Sequence, residues 1–558
     1  MKPRKMIRLT FMLLLLTSLF ITACSGTNEG NNKPSPSADP SPEATASAEP
    51  TTDPASAVFQ LGSEPLEFSF YGNYDWMVTE PWGVDPSSQW VKDNFKINVT
   101  PIQSGGAAQQ KLNTMIVSDT LPDVIMLDRG ADFEKLREAG KLVALDDYLG
   151  KYPNLKKYAG DQTLNLLRSS DGKLYGLPNW YTSSPNGNSG YLINRKIYKE
   201  LGSPKLETFT DLEAYLAQVK TKYPDVIPLE TDVNAAGIYL FGTGMEENYS
   251  VTYMNEKAVP RDNQFTSVFL DPTFNSALKL GSKLFRDKLM TQDAFTQKND
   301  QVYEKLKNGR VAVLASLDAL NSKIQEANNA LREKDPDAGY EAIWPLRTDS
   351  VAKDKVFPNS YASQGWNFVA ITTKAKNPEA IFAYLDWITG AEGQSVMNFG
   401  PKGRYWDEVD GEGSPIPNEK WTSTPQTEKD KDKMGTFNWV GNTSFVDGTK
   451  SKIEMALPEG KRNWGTEQQV NVTWKTSQNM TLFTNLNPSP DSEEGIAENA
   501  VRTIFEEYVA KALFAKSDAE VDSILKQANE AANAQGYEKL LKFKTERWQA
   551  NIKKANGS

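Results

Sequence analysis

Apolar and polar positions alternate at the start of the first patterned segment. Leu66, Phe68 and Phe70 are separated by Glu67 and Ser69, which predicts a strand. Ile97-Asn98-Val99 repeats the pattern. After a Gly105-Gly106 loop, Leu112, Met115 and Ile116 fall at helical spacing. Pro122 to Leu127 (PDVIML) predicts a third strand, apolar throughout its second half. A helix from Phe133 to Glu138 stops at Gly140, a residue suited to the C′ position. Strands alternating with helices imply βαβ units and a mostly parallel sheet. Asp171-Gly172 predicts a tight turn, read as a hairpin whose apolar return strand is Leu174 to Pro178. Ser183 to Gly190 is a polar break, and Tyr191-Leu192-Ile193 resumes as a strand. A domain crossing is placed there.

A second α/β block follows. Thr210-Asp211-Leu212-Glu213 has capping-box spacing with Glu213 at N3. Leu212, Tyr215, Leu216 and Val219 mark the buried face of that helix. Asp271-Pro272 opens another helix with proline at N1. Gly309 to Leu314 and Asn367 to Ile371 predict buried strands, and Asn377-Pro378 caps a helix from Glu379 to Thr389 that ends at Gly390. Residues 400–490 show no period. Helices are expected over 494–515, 517–533 and 537–550, with stripes at Ile504, Phe505, Tyr508 and Val509, and at Leu540, Leu541 and Trp548. No repeat of about 20–50 residues is present.

One apolar run stands apart. Leu9 to Ile21 follows Lys2, Arg4, Lys5 and Arg8 and precedes Ile21-Thr22-Ala23-Cys24. It is shorter than the roughly 20 apolar residues of a spanning helix and suits a signal-peptide core. The closing tetrapeptide looks like a bacterial lipobox. Residues 1–23 are therefore expected to be removed, and Cys24 to carry a diacylglyceryl group with palmitate-type chains. The alternative is an ordinary secretory signal with a buried thiol nearby. Residues 24–57 contain no aromatic residue and no Leu, Ile or Val, and read as a disordered tether with an r.m.s. reach of roughly 30 Å. The expected location is the outer face of a cell membrane, in a Gram-positive bacterium.

Composition narrows the chemistry. The 558 residues carry 62 basic and 72 acidic side chains; without residues 1–23 the balance is 58 against 72. No basic stripe invites nucleic acid. There is no histidine, and Cys24 is the one cysteine. Ser-His-Asp and Cys-His machinery, His-ligated zinc and internal disulfides are excluded. An enzyme would be left with carboxylates, Lys, Tyr or Ser. Asp407 to Glu412 hints at calcium but lacks EF-hand spacing and reads as a solvated acidic turn. No metal and no cofactor are expected.

Five stretches carry a resemblance: Lys111–Leu127 (KLNTMIVSDTLPDVIML), Asp171–Pro178 (DGKLYGLP), Leu192–Phe209 (LINRKIYKELGSPKLETF), Gly309–Ala315 (GRVAVLA) and Trp366–Gly393. Gly400–Tyr405 (GPKGRY) adds a glycine-rich turn. In this order they resemble the family 1, maltose-binding-like extracellular solute-binding lipoproteins of Gram-positive ABC importers. The similarity is greatest to the long Paenibacillus and Bacillus lipoproteins linked to complex-saccharide uptake. The resemblance implies an α/β, two-lobed periplasmic-binding-protein-like fold of class II type, with hinge crossovers and C-terminal helices. It implies lobe 1 from 58–186 and 361–410, and lobe 2 from 187–360 and 490–552, with 411–489 unassigned. It implies a monomer that closes on an oligosaccharide and docks on the permease's transmembrane subunits, without catalysis. A surface carbohydrate-active enzyme with an Asp/Glu pair, a sensing subunit for a membrane kinase and a peptide binder remain alternatives.

Sugars offer apolar C–H faces to aromatic rings and hydroxyls to planar polar groups. With 13 Trp and 21 Tyr, several in loops after strands, the chain has candidates for such contacts. Tyr74 and Trp76 follow the first strand. Asp128 and Arg129 follow PDVIML, where the family often places a sugar contact. Trp180 and Tyr181 follow DGKLYGLP, and Trp366 precedes a strand. Arg404, Tyr405 and Trp406 are placed by resemblance alone; Trp439 and Trp464 lie in the segment without a period. After GRVAVLA relatives often carry an aromatic platform, but Leu317-Asp318 stand here, so Asp318 takes a hydroxyl or cation or that subsite is absent.

Overall fold

The computed structural model describes residues 58–557. The leader, Cys24 and the tether through residue 57 lie outside the described residues. Two separate sheets organise the rest. In the first, β1 (Leu66–Gly72), β2 (Ile97–Ile102), β3 (Val124–Asp128) and β4 (Leu177–Asn179) share a sheet with a return strand, Asn367–Ile371. The order is β2-β1-β3-return-β4. The return strand is antiparallel to both its neighbours, whereas β1 pairs parallel with β2 and β3. In the second sheet β5 (Gly190–Asn194) lies between Tyr340–Ile343 and Val311–Ser316, both antiparallel to it, and β6 (Ile227–Thr231) runs parallel beside the latter.

Each sheet has its own core, because strands buried on both faces read as apolar runs. All five residues of the return strand are buried, as are all six of Val311–Ser316. The first core gathers β1–β3, the helix Pro378–Thr389 and Phe437, Trp439 and Val440. The second gathers β5, β6, the helix Pro272–Arg286 and the C-terminal helices Glu493–Leu513, Asp518–Asn533 and Tyr537–Ala555. Among the described residues no helix is long and apolar enough to cross a membrane.

Local signals explain most helix ends. Asp271 accepts from the Phe274 N–H with Pro272 at N1. Asn377 accepts from the Ala380 N–H ahead of Pro378. Gly140, at φ 65°, closes a Schellman motif: its N–H donates to Arg137 O and the Lys141 N–H to Leu136 O. Three readings need correction. The capping box sits two residues earlier than expected: Thr208 is the cap and Asp211 occupies N3, because Asp211 also accepts from the Thr208 N–H at 2.9 Å. The Asp171-Gly172 turn follows a helix (Asn154–Leu167) rather than a strand, so no hairpin forms; β4 pairs instead with the return strand, and is only three residues long. Residues 411–489, unassigned above, hold the helix Thr443–Met455 and several short helical turns.

Three stretches connect the sheets, and they are stitched together. Asn359–Tyr361 pairs parallel with Ser477–Asn479. The buried Asn359 amide accepts from the Ser189 N–H at 2.6 Å and donates to the Ser189 carbonyl at 2.8 Å. Ser477 Oγ donates to Asn186 O and Thr473 Oγ1 to Gly187 O. Strand-to-strand passage from β4 to β5 therefore runs beside the other two crossings. It brings the C-terminal end of β4 and the start of β5 to the same junction.

Candidate functional site

Loops at the carboxyl ends of strands line the crevice of an open α/β sheet. In the first sheet that edge carries the ends of β1, β3 and β4. It also carries the start of the return strand, whose antiparallel direction turns Trp366 and Asn367 to the same side. Tyr74, Trp76 and Trp366 meet there. Tyr74 stacks on Trp76 with centroids 5.2 Å apart and planes at 29°, and lies 5.2 Å from Trp366; Trp76 and Trp366 are 6.4 Å apart. Yet Trp76 is 68% exposed and Trp366 44%. Large rings held against one another and open to water form a platform rather than a core.

Polar groups fix that platform. The Tyr74 hydroxyl donates to Asp128 Oδ1 at 2.7 Å and accepts from Asn367 Nδ2 at 2.9 Å. Burial, before either hydrogen bond, pushes the Tyr74 phenol well up, so it stays protonated and donates to Asp128. Asn367 is fully buried, with Oδ1 unpartnered inside the protein. Asp128 is itself exposed, and its charge is shared with no basic nitrogen at ion-pair distance among the described residues.

Arg129 is turned the other way. Its Nη1 and Nη2 each donate at 2.6 Å to the carbonyls of Gln364 and Gly365, and its guanidinium lies 5.7 Å from the Phe368 ring centroid. Burial lowers its pKa to about 10, so it remains charged at neutral pH. It is a strut holding residues 364–365, with two of its five N–H donors on backbone and its charge felt by Asp128. Gly365 is required where it stands: its φ is 66°, and a Cβ there would lie 2.1 Å from Asn179 O. Trp180, half-exposed at φ 54°, covers Gly441; a Cβ on Gly441 would come within 2.6 Å of the indole. The Gly441 N–H donates to Asn179 Oδ1 at 2.7 Å, which holds the 440s against this edge.

Other expected contacts fall elsewhere. Tyr181 is fully buried in the first core, its hydroxyl 2.5 Å from Thr389 Oγ1. Trp439 is buried flat on Phe70, centroids 3.8 Å apart at 7°. Trp464 is buried with Nε1 donating to Tyr340 O. Arg404 and the Tyr405 hydroxyl both go to Asp432, and buried Trp406 donates to Gly400 O at 2.7 Å. These side chains are packed or bonded away from the platform, although the buried Trp439 Nε1 has no partner inside the protein. In the Asp407–Glu412 turn Asp410 accepts from the N–H groups of Glu412 and Ser414 and from Lys452, so protein donors fill its oxygens.

The second sheet's matching edge carries Asp318, exposed, with Oδ1 accepting from Asn188 Nδ2 at 3.2 Å. Beside it Asp232 accepts from Ser316 Oγ and the Leu317 N–H, and its carboxyl is pushed up mainly by burial. Asp232, Asn179 and Asn367 were not singled out from sequence. Asp232 directly follows β6, so the rule that picked Asp128 would also have found it.

Two cored sheets, stitched by three crossings with an aromatic edge beside them, define the class of two-lobed α/β binding proteins. The chain belongs to the bacterial extracellular solute-binding protein family, whose model matches residues 85–395. Lipoprotein LipO of Bacillus subtilis is 24% identical over 316 residues, covering 54% of this chain and 60% of the relative. The chain thus spans 60% of the length of that curated relative. Among solved structures, an HMO-binding, ABC-transporter-associated solute-binding protein from Bifidobacterium longum infantis matches at 16% identity. It covers 87% of this chain and 98% of its own, with a TM-score of 0.58. The Streptococcus pneumoniae ABC-transporter substrate-binding protein FusA, in complex with kestose, matches at 17% identity over 87% and 99%, TM-score 0.53. At such identities these structures share the fold.

Proposed function

We propose that this protein is the receptor of an ABC importer that captures a saccharide, an oligosaccharide by the size of the platform, and hands it unaltered to a permease. The observation that carries this reading is the trio Tyr74, Trp76 and Trp366, its two indoles exposed, around Asp128. Rings present flat apolar faces to the C–H faces of a pyranose, and Asp128, backed by the Tyr74 hydroxyl, accepts sugar hydroxyls. Trp180, over Gly441, and Asp318, bonded to Asn188 at the second sheet's edge, would flank the ligand. Residues 58–186 with 361–410 would move as one lobe and 187–360 with 490–552 as the other, closing about the crossings. Cys24 would hold the protein to the outer face of the membrane through diacylglycerol. The Streptococcus pneumoniae neighbour FusA, seen in complex with kestose, agrees with a carbohydrate.

A thermal-shift screen of the purified protein against oligosaccharides tests the reading. A ligand at about 100 times its Kd adds about 2.7 kcal/mol of stability, and mass spectrometry should recover it intact. Cleaved product would favour a carbohydrate-active enzyme; no shift with any carbohydrate would refute the reading.

A further inference from the structure

We infer that the saccharide is uncharged, and that the site excludes uronic and sulfated glycans; this rests on the carbohydrate reading above. The charge of the site decides it. On the first sheet's edge Asp75 and Asp128 are exposed, and on the second sheet's edge so is Asp318, with Asp232 half-buried behind it. Asp232 accepts from the Ser316 hydroxyl and from the N–H of Leu317, the residue before Asp318, which brings the two carboxylates into one neighbourhood. None of the four carboxylates has a basic partner at ion-pair distance among the described residues.

Several basic side chains on the elements around these loops are already engaged. Arg129 is bound to two backbone carbonyls. Lys111 donates to Gln103 O. Lys305 is held by Glu230, Asp293 and Gln297, and Lys323 by Glu326. Carboxylate recognition calls for a free guanidinium fork or ammonium, and these edges present acceptors instead. Asp128 Oδ1 and Asp318 Oδ1 have each accepted one neutral donor, from Tyr74 and Asn188. Their remaining lone pairs suit the O–H donors of neutral sugars and would face like charge in a uronate.

The test is a matched pair. The full protein is screened against neutral oligosaccharides and against oligouronates, alginate and galacturonan fragments included. The best neutral ligand is then oxidised at C6, which turns a hydroxymethyl into a carboxylate on the same backbone. Calorimetry should show binding at least about tenfold weaker for the oxidised form. The gap should narrow at high salt, because the screening length falls from about 10 Å at 0.1 M to about 3 Å at 1 M; a purely steric penalty would not move. In Asp128→Asn, which keeps the side-chain shape, the gap should also narrow. A uronate bound more tightly than its neutral counterpart, or a salt-independent gap, overturns the inference while leaving the carbohydrate reading in place. No binding of any saccharide overturns the carbohydrate reading itself.

Discussion

Trp439 lies flat on Phe70 with its side chain buried, whereas Trp76 stands 68% exposed on a neighbouring loop of the same sheet. Truncating the first leaves a cavity; truncating the second removes only surface. Trp439→Ala should cost about 3–5 kcal/mol in denaturant unfolding. Trp76→Ala should change stability by less than about 0.5 kcal/mol, yet weaken saccharide binding about tenfold in a fluorescence titration. Sequence named both tryptophans as candidates and could not separate them, because exposure depends on what packs from elsewhere: Trp439 is covered by strands about 370 residues earlier in the chain. Tyr181 and Trp464 divide from Trp366 on the same ground. Arg129 was legible as a strand-end residue, but its direction was not, since its partners are carbonyls 235 and 236 residues away.

Asp119 provides a pH test at this scale. Lys141 and Lys374 donate to it at 2.8 and 2.6 Å and hold its pKa down to about 2, from the ordinary 3.8. A depressed carboxylate stabilises the fold above its unfolded pKa and loses that contribution as pH falls through the folded one. Asp119→Asn should therefore lower Tm slightly at neutral pH, the pair being exposed. The variant and the parent should converge as pH approaches about 2. A constant offset at every pH would contradict the linkage.

Strands and capped helices were the most readable elements. β1, β3, the return strand and the helix Pro378–Thr389 fall where apolar runs and Asn-Pro or Gly signals put them. What escaped was context. Asp-Gly marks a turn in any setting, and nothing local says whether a helix or a strand precedes it. Residues 400–490 pack against both sheets, Phe437, Trp439 and Val440 in the first core and Trp464 against Leu192 and Tyr340 of the second, so their own periodicity is weak. The loop before the return strand gives a prediction at this level. Gly365→Ala forces an L residue into left-handed backbone, at a cost of about 1–2 kcal/mol, and drives its Cβ against Asn179 O. Thermal unfolding should drop by several degrees, and saccharide affinity with it, because Trp366 follows directly. A variant as stable and as tight as the parent would show that the loop is not held as described.

At the scale of the molecule, the family was legible from the order of weak stretches, and the match over residues 85–395 shows it. The sites of recognition were less so: ordering a platform requires β1 and the return strand, whose Tyr74 and Asn367 are 293 residues apart in the chain, to flank β3. Cys24 lies outside the described residues, and its role is settled by fractionation. Cys24→Ser should move the protein from membranes to the medium; unchanged membrane retention would argue against lipid anchoring. The central claim is that a saccharide is held by Tyr74, Trp76 and Trp366. Calorimetric titration of the parent and of the Trp76→Ala, Trp366→Ala double variant with the best saccharide tests it most directly. The account predicts saturable binding by the parent and at least about a hundredfold loss in a variant of unchanged Tm. Equal affinity in the two proteins would contradict it.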